Sequence, residues 1–199
     1  MGIIDDIQIQ QIVRHVLQQV MGLPPKDLVS GDTPSITGLT PESGAQLGIR
    51  KVVAIGADHG GFDLKETLKA DLNGMGMEIH DVGAYSKAAV DYPDYAHEVA
   101  KLVSSGKAWR GIVIDGAGIG SCIVANKVPG VRAGMAYDYS SAVNSREHND
   151  TNVLSLGAGL IGISLAKQIV KTWLSTDFGG ERHTKRVEKI SVIEKLYLK

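Results

Sequence analysis

The chain has 199 residues, 43% of them hydrophobic, which is enough for one ordinary core with an appendage left over. Its 21 basic and 22 acidic side chains leave a formal charge of -1, so nothing steers it toward nucleic acid or an anionic membrane. The single cysteine, Cys122, excludes an intrachain disulfide and a cysteine-type zinc site, and no apolar run approaches the roughly 20 residues of a membrane helix.

Residues 6–21 are patterned as an amphipathic helix. Ile9, Ile12, Val13, Val16, Leu17 and Val20 share one face, and Gln8, Gln11, Arg14, His15, Gln18 and Gln19 fill the other. Asp5 or Asp6 stands where the cap belongs. The layout of a secretory signal is missing, and together with the lone thiol this leads us to expect a reducing, cytoplasmic setting. From Gly22 to Gly48 the composition turns to Pro, Gly, Ser and Thr, with four of the six prolines (Pro24, Pro25, Pro34, Pro41), and periodicity disappears. The expected organisation is therefore an amphipathic element over 1–21, a linker over 22–50 and a domain over 51–199. A short helix with a wide apolar stripe needs a cover. Two readings stay open: it docks on its own domain or on another copy, or it docks on a partner.

Beyond residue 50 the pattern becomes regular. Strand-type runs at 52–55, 78–82, 111–114, 131–136 and 153–156 alternate with helix-type segments near 61–73, 92–105, 120–128, 139–148 and 162–175, and a final helix covers roughly 183–196. Strands alternating with helices imply right-handed crossovers and a parallel sheet covered on both faces. The expected class is α/β, a three-layer αβα fold with a five-stranded parallel Rossmann-like sheet.

Ligands of such sheets sit beyond the carboxyl ends of the strands where the winding reverses, commonly between the first and third strands. The first strand runs into Gly56-Ala-Asp58-His59-Gly60-Gly61 and the third into Asp115-Gly-Ala-Gly-Ile-Gly120, so two polar glycine loops are placed at one edge. The first loop lacks the glycine spacing of a dinucleotide fingerprint, and its carboxylate would repel a pyrophosphate. A compact sugar phosphate suits the space better. Later in the chain, Ser145-Arg-Glu-His148-Asn149-Asp150 gathers hydrogen-bonding groups at a helix end, and Arg182 and Arg186 lie one helical turn apart, as a phosphate clamp requires. His15, His80 and His97 have no second ligand at metal spacing and read as structural or solvent-facing.

Together, Gly-Ala-Asp58-His59-Gly-Gly-Phe-Asp-Leu-Lys65, Asp91-Tyr-Pro-Asp-Tyr-Ala96, the loop at 115–127, Ser145-Arg-Glu-His-Asn-Asp150 and Gly180-Glu-Arg182-His-Thr-Lys-Arg186 resemble the ribose-5-phosphate isomerase B family, which includes the galactose-6-phosphate isomerase subunits. The resemblance covers about 51–196. It implies aldose–ketose isomerisation through an enediolate without metal or other cofactor, and a homodimer or tetramer with active sites between subunits. By position, Asp58 and His59 match substrate-binding residues. His148 matches the ring-opening histidine and Asn149 a substrate-binding neighbour, both supplied by the adjacent subunit. The loop Gly116, Ala117, Gly118, Ile119, Gly120 and Ser121 matches the amide cradle for the enediolate, and Arg182 and Arg186 match the phosphate-binding arginines.

The chain departs from the family at the proton-transfer step. Many members carry a cysteine base where this chain has Asp115, others a glutamate where it has Ser121, and a common Thr or Ser is here Ala117. Asp115 is the expected base, on condition that burial raises its proton affinity, and Cys122, a thiol at a helix start, is the competing candidate. An aspartate at the same place in the first galactose-6-phosphate isomerase subunit keeps other substrates in view. The leading expectation is interconversion of ribose 5-phosphate and ribulose 5-phosphate. The alternatives are a tetrose or galactose 6-phosphate type of substrate, or a non-catalytic sugar-phosphate-binding or scaffold protein. The helix and linker at the start resemble targeting extensions of enzymes packaged in bacterial microcompartments, which implies shell or cargo proteins as partners of 1–21.

Overall fold

The computed structural model describes residues 51–197, so the expectations for the helix over 6–21 and the linker over 22–50 lie outside the described residues. Five strands form one parallel sheet: β1 (Val52–Ala57), β2 (Glu78–Asp81), β3 (Arg110–Asp115), β4 (Ala133–Met135) and β5 (Val153–Gly157), in the order β2-β1-β3-β5-β4. Between and after them run α1 (Phe62–Gly74), α2 (Tyr92–Ser104), α3 (Ile119–Ala125), α4 (Tyr139–Glu147), α5 (Ile163–Ser175) and α6 (Thr184–Tyr197). The expected αβα architecture is the one observed, and the winding reverses between β1 and β3.

Side chains along a strand alternate between faces, and this alternation builds two cores. Val53, Ile55 and Ala57 of β1 and Ile112 and Ile114 of β3 face Leu64, Leu68 and Leu72 of α1 and Ile169, Val170 and Trp173 of α5. Ala54 and Val113 point the other way, onto Ala96, Val99, Ala100 and Val103 of α2 and Ala125 of α3. The central strands are apolar on both faces because both faces are covered.

Element ends follow local chemistry. Asp138 caps α4 through a reciprocal pair with Ser141, whose N–H donates to Asp138 Oδ1 at 2.7 Å. The third helix stops at Ala125, short of the expected 128, because Asn126 turns to pair with β4: its Nδ2 donates to the Ala133 carbonyl at 2.9 Å and its Oδ1 accepts from the Ala133 N–H at 2.9 Å. The fourth strand spans only three residues at a sheet edge, where β5 is its single neighbour. The last helix begins at Thr184, after a 3-10 turn over Glu181–His183.

One charge is buried completely. Lys65 on α1 is 0% exposed, and its Nζ donates to both oxygens of Asp81 at 2.7 and 2.8 Å. Asp81 also takes the Lys69 ammonium at 2.6 Å and the Gly83 N–H at 2.9 Å. A buried ammonium persists only when paired, so this cluster fixes α1 against the end of β2. Lys65→Ala, which leaves Asp81 without its buried partner, is expected to lower stability by about 3–5 kcal/mol in urea unfolding. Lys69→Ala, at the exposed side, should cost less than about 1 kcal/mol.

Candidate active site

At the carboxyl edge of the sheet the loops after β1 and β3 touch. The Asp58 N–H donates to the Ile114 carbonyl at 3.1 Å, and since Ala57 pairs with Ile114, one further step puts Asp58 beside Asp115, about 4.8 Å away across neighbouring strands. Asp58 is buried, and its Oδ1 accepts from the Gly61 N–H at 2.9 Å. Position 61 admits only glycine, because a Cβ there would come within 2.6 Å of the Ile114 carbonyl oxygen. Gly60 differs: a Cβ there would enter the crevice, 3.3 Å from Asp58 Oδ1 and 3.7 Å from the Gly116 nitrogen. His59 is exposed, with Nδ1 against the Val90 backbone, 3.2 Å from its oxygen and 3.3 Å from its nitrogen.

The glycine loop closes around the Asp115 side chain. Oδ1 accepts from the N–H groups of Ala117, at 2.8 Å, and Gly118, and Oδ2 accepts from the Ser121 N–H at 2.9 Å. Gly118, at φ +79, provides the left-handed turn that points these amides inward. Behind the loop Gly157 gives clearance, since a Cβ there would lie 2.5 Å from the Ala117 carbonyl oxygen. Among the described residues the N–H groups of Gly116, Ile119 and Gly120 have no acceptor and remain for a ligand. The cradle expected over 116–121 is thus divided: Ala117, Gly118 and Ser121 serve Asp115, and Gly116, Ile119 and Gly120 keep their N–H groups unpaired among the described residues.

This geometry corrects the expectation that burial makes Asp115 more basic. Burial does push its proton affinity up, but the Ser121 hydroxyl and the amides of Ser121, Gly118 and Ala117 outweigh it and hold the carboxyl below the usual aspartate value of 3.8. The competing thiol is corrected too. Burial pushes Cys122 up, with the Asn126 amide pulling the other way and the Asp115 carboxylate adding to the rise. Its Sγ lies 3.6 Å from the Ala133 carbonyl oxygen and 3.6 Å from Asn126 Nδ2, on the β4 side of α3.

Tyr92 belongs to this edge, although no role was read for it from sequence. It heads α2, and a Cβ on Gly120 would fall 2.5 Å from its ring and 2.8 Å from its hydroxyl, so the phenol lies over the glycine loop. The signal was its place in Asp91-Tyr-Pro-Asp94, ahead of a helix start.

The other expected residues gather at the opposite end of the sheet. The fourth helix runs back along the sheet, and His148 at its end stacks on His183 with ring centroids 4.2 Å apart and planes 9° apart. Asn144 Nδ2 meets His148 Nδ1 at 2.8 Å, and Asn149 Nδ2 donates to Asn144 Oδ1 at 3.1 Å. Arg182 Nε donates to His183 Nε2 at 3.3 Å. Burial, then the neighbouring His148, Arg182 and Arg186, keep His183 below its usual value. Arg182 and Arg186 are exposed and have no ion pair among the described residues. The gap between the two groups follows from register. The Gly111 N–H donates to the Asn152 carbonyl at 2.9 Å, so the segment that follows His148 is level with the start of β3, about 13 Å along the strands from Asp115. One chain therefore holds two partial sites at opposite ends of its sheet.

Because Asp115 is more acidic folded than unfolded, its contribution to stability is complete above about pH 4 and is lost as the pH falls through its folded value, below 3.8. Asp115→Asn should cost about 1–3 kcal/mol near neutral pH and flatten the acid limb of stability against pH in chemical denaturation.

The ribose/galactose isomerase family model matches residues 53–190. The chain is 46% identical over 144 residues to ribose-5-phosphate isomerase B of Escherichia coli, covering 72% of this chain and 97% of that protein. It is 42% identical over 144 residues to D-erythrulose-4-phosphate isomerase of Pectobacterium atrosepticum, covering 71% of this chain and 94% of that protein. Among solved structures, ribose-5-phosphate isomerase B of Clostridium thermocellum superposes with a TM-score of 0.72 at 49% identity, covering 73% of this chain and 99% of that one. With the switch-point crevice and its amide loop in place, these likenesses settle the family: the chain belongs to the ribose/galactose isomerases, enzymes of the aldose–ketose class.

Proposed function

We propose that this chain interconverts ribose 5-phosphate and ribulose 5-phosphate at sites built between two copies of itself. The observation that carries the reading is the meeting of two loops at the carboxyl edge, where the Asp58 and Asp115 carboxylates adjoin the unpaired amides of Gly116, Ile119 and Gly120. Such donors are suited to charge that develops on a substrate oxygen as a carbon-bound proton leaves. The E. coli relative, matched over 97% of its length, favours a pentose phosphate, and the P. atrosepticum relative favours a tetrose phosphate as the second reading.

The roles follow from placement. Arg182 and Arg186 carry free positive charge suited to a phosphate. His148, held through Nδ1 by Asn144, offers Nε2 for the proton exchange that opens the sugar ring, and Asn149 stands beside it. These groups lie about 13 Å along the strands from the carboxyl-edge crevice of the same chain, so a second copy supplies them. Hydrogen bonds donated by the amides to the enediolate oxygens provide for its charge without a metal. The apolar stripe of α6 supports a paired state: Ile190, Val192, Ile193, Leu196 and Tyr197 are exposed, and α6 has no buried residue. With β4 and α4 it borders a groove of about 920 Å³, wide enough to seat side chains of another copy.

For the first segment we propose recruitment to a microcompartment shell or its cargo. The support is the amphipathic pattern of 6–21 and the fact that relatives matched over 94–99% of their length align with only 71–73% of this chain. Deleting 1–21 should leave turnover and oligomer size unchanged while abolishing co-sedimentation with shell protein. Loss of the oligomer would instead mean that the segment packs on its own protein.

The isomerase reading is tested by incubating the purified enzyme with ribose 5-phosphate and following ribulose 5-phosphate. Turnover supports it, and silence on pentose, tetrose and hexose phosphates alike favours a binding role. Sharing of sites is tested by co-expression. Gly116→Trp fills open space and plugs the crevice, whereas His148→Ala removes the ring-opening group at the other end. Each alone should be nearly inactive, and the statistical mixture should regain about a quarter of wild-type activity, because half the dimers carry one intact site. A mixture as silent as its parents would place the whole site in one chain.

A further inference from the structure

Both expected bases are engaged elsewhere in the resting enzyme. The Asp115 carboxylate takes three amide N–H groups, and the Cys122 sulfur faces the Ala133 carbonyl and the Asn126 amide. A third group at the same edge is less occupied. We propose that Asp58 is the catalytic base of this chain, the carboxylate that carries hydrogen between C2 and C1 of the open-chain sugar phosphate. The proposal rests on the isomerase reading above.

Three observations support it. Asp58 is 8% exposed and fixed by the Gly61 N–H on Oδ1, while Oδ2 has no donor among the described residues. It therefore has lone pairs to offer from a partly dry, held position. Second, it is the lateral neighbour of Asp115 at the β1/β3 reversal, where ligands of wound sheets sit. Third, the turn at Gly60 sets carboxylate and amide close together: a Cβ at that position would lie 3.3 Å from Asp58 Oδ1 and 3.7 Å from the Gly116 nitrogen. A sugar carbon brought against the carboxylate therefore has an unpaired N–H nearby to serve its oxygen.

The reaction balances on these groups. Asp58 takes the proton from C2, the C–H electron pair becomes the C1=C2 bond, and the C1 carbonyl pair moves onto O1 beside the Gly116 amide. A proton passes from the C2 hydroxyl to O1. Asp58 then returns its proton to C1 as O2 regains a carbonyl bond at C2. No electron, proton or atom is left over. Asp115 acts as a positioning residue: by holding the Ala117, Gly118 and Ser121 amides it fixes the loop in a shape that leaves the Gly116 amide unpaired.

The test follows deuterium uptake at C2 and net conversion of ribose 5-phosphate in D2O, with the full chain and four variants. Asp58→Asn keeps an acceptor for the Gly61 N–H, so the loop is retained. It should lose about 1,000-fold or more in kcat and in exchange, with KM changed by less than about fivefold. Asp58→Glu, which restores a carboxylate, should recover measurable exchange, and this comparison decides the matter if Asp58→Asn proves unstable. Asp115→Asn should retain exchange within about tenfold of wild type while KM rises, because its effect passes through the cradle. Gly60→Ala should lose activity without unfolding, since its methyl would crowd the Asp58 carboxylate and the Gly116 amide. Asp58→Asn with exchange within tenfold of wild type, or exchange abolished by Asp115→Asn but not by Asp58→Asn, would overturn the assignment. A wild-type enzyme that exchanges no aldose phosphate would overturn the isomerase reading itself.

Discussion

Three backbone N–H groups converge on the Asp115 carboxylate, and the shape of the carboxyl edge depends on that contact. A glycine loop leaving a buried strand has several conformations open to it, and an internal anion selects one by satisfying amides that would otherwise be orphaned. The same contact divides the loop by function. Amides turned inward hold a residue of the chain, and those left over, at Gly116, Ile119 and Gly120, have no acceptor among the described residues. The close approach of Gly157 to the Ala117 carbonyl and of Gly118 to the Leu156 backbone keeps the loop from relaxing backward. A carboxylate that organises a loop in this way gives up basicity as it does so, because each donor that stabilises the anion lowers its affinity for a proton.

The second constraint is directional. Parallel strands send all their carboxyl ends to one edge, and each returning helix ends at the other. His148 closes such a helix and the arginines lie at the start of the last one, so they are carried away from the crevice by the topology that made the crevice. Under the proposed function, a second molecule brings the two groups face to face. The C-terminal helix shows the same need from the side of packing, since a stripe from Ile190 to Tyr197 has no cover within its own chain among the described residues. Folding and catalysis would then draw on one interface, with subunit contact completing both an apolar surface and a reaction site.

Much of this was legible in the sequence. Apolar runs such as Ile112-Val-Ile114 and the glycine punctuation after them placed the sheet, its reversal and the loops at Asp58 and Asp115, because a strand buried on both faces leaves an unmistakable composition. The short third helix was less readable, since its end is set by Asn126 reaching across to Ala133, a contact no local pattern announces. The chemistry of Asp115 was misjudged for a related reason. Its role as base was made conditional on burial raising its proton affinity, whereas the groups that decide its acidity, the Ser121 hydroxyl and the amides of Ser121, Gly118 and Ala117, depend on the turn at Gly118. Tyr92 escaped notice because its contact with Gly120 is tertiary.

The central claim is that sugar carbons and sugar phosphate are held by different copies of one chain. The most direct measurement is a crystal structure of the full-length protein with ribulose 5-phosphate bound. The account predicts the C1–C2 end against Asp58 and the Gly116 amide of one subunit, and the phosphate against Arg182 and Arg186 of its partner. A ligand held entirely by one chain, or one whose C2 rests on the Cys122 sulfur, would contradict it.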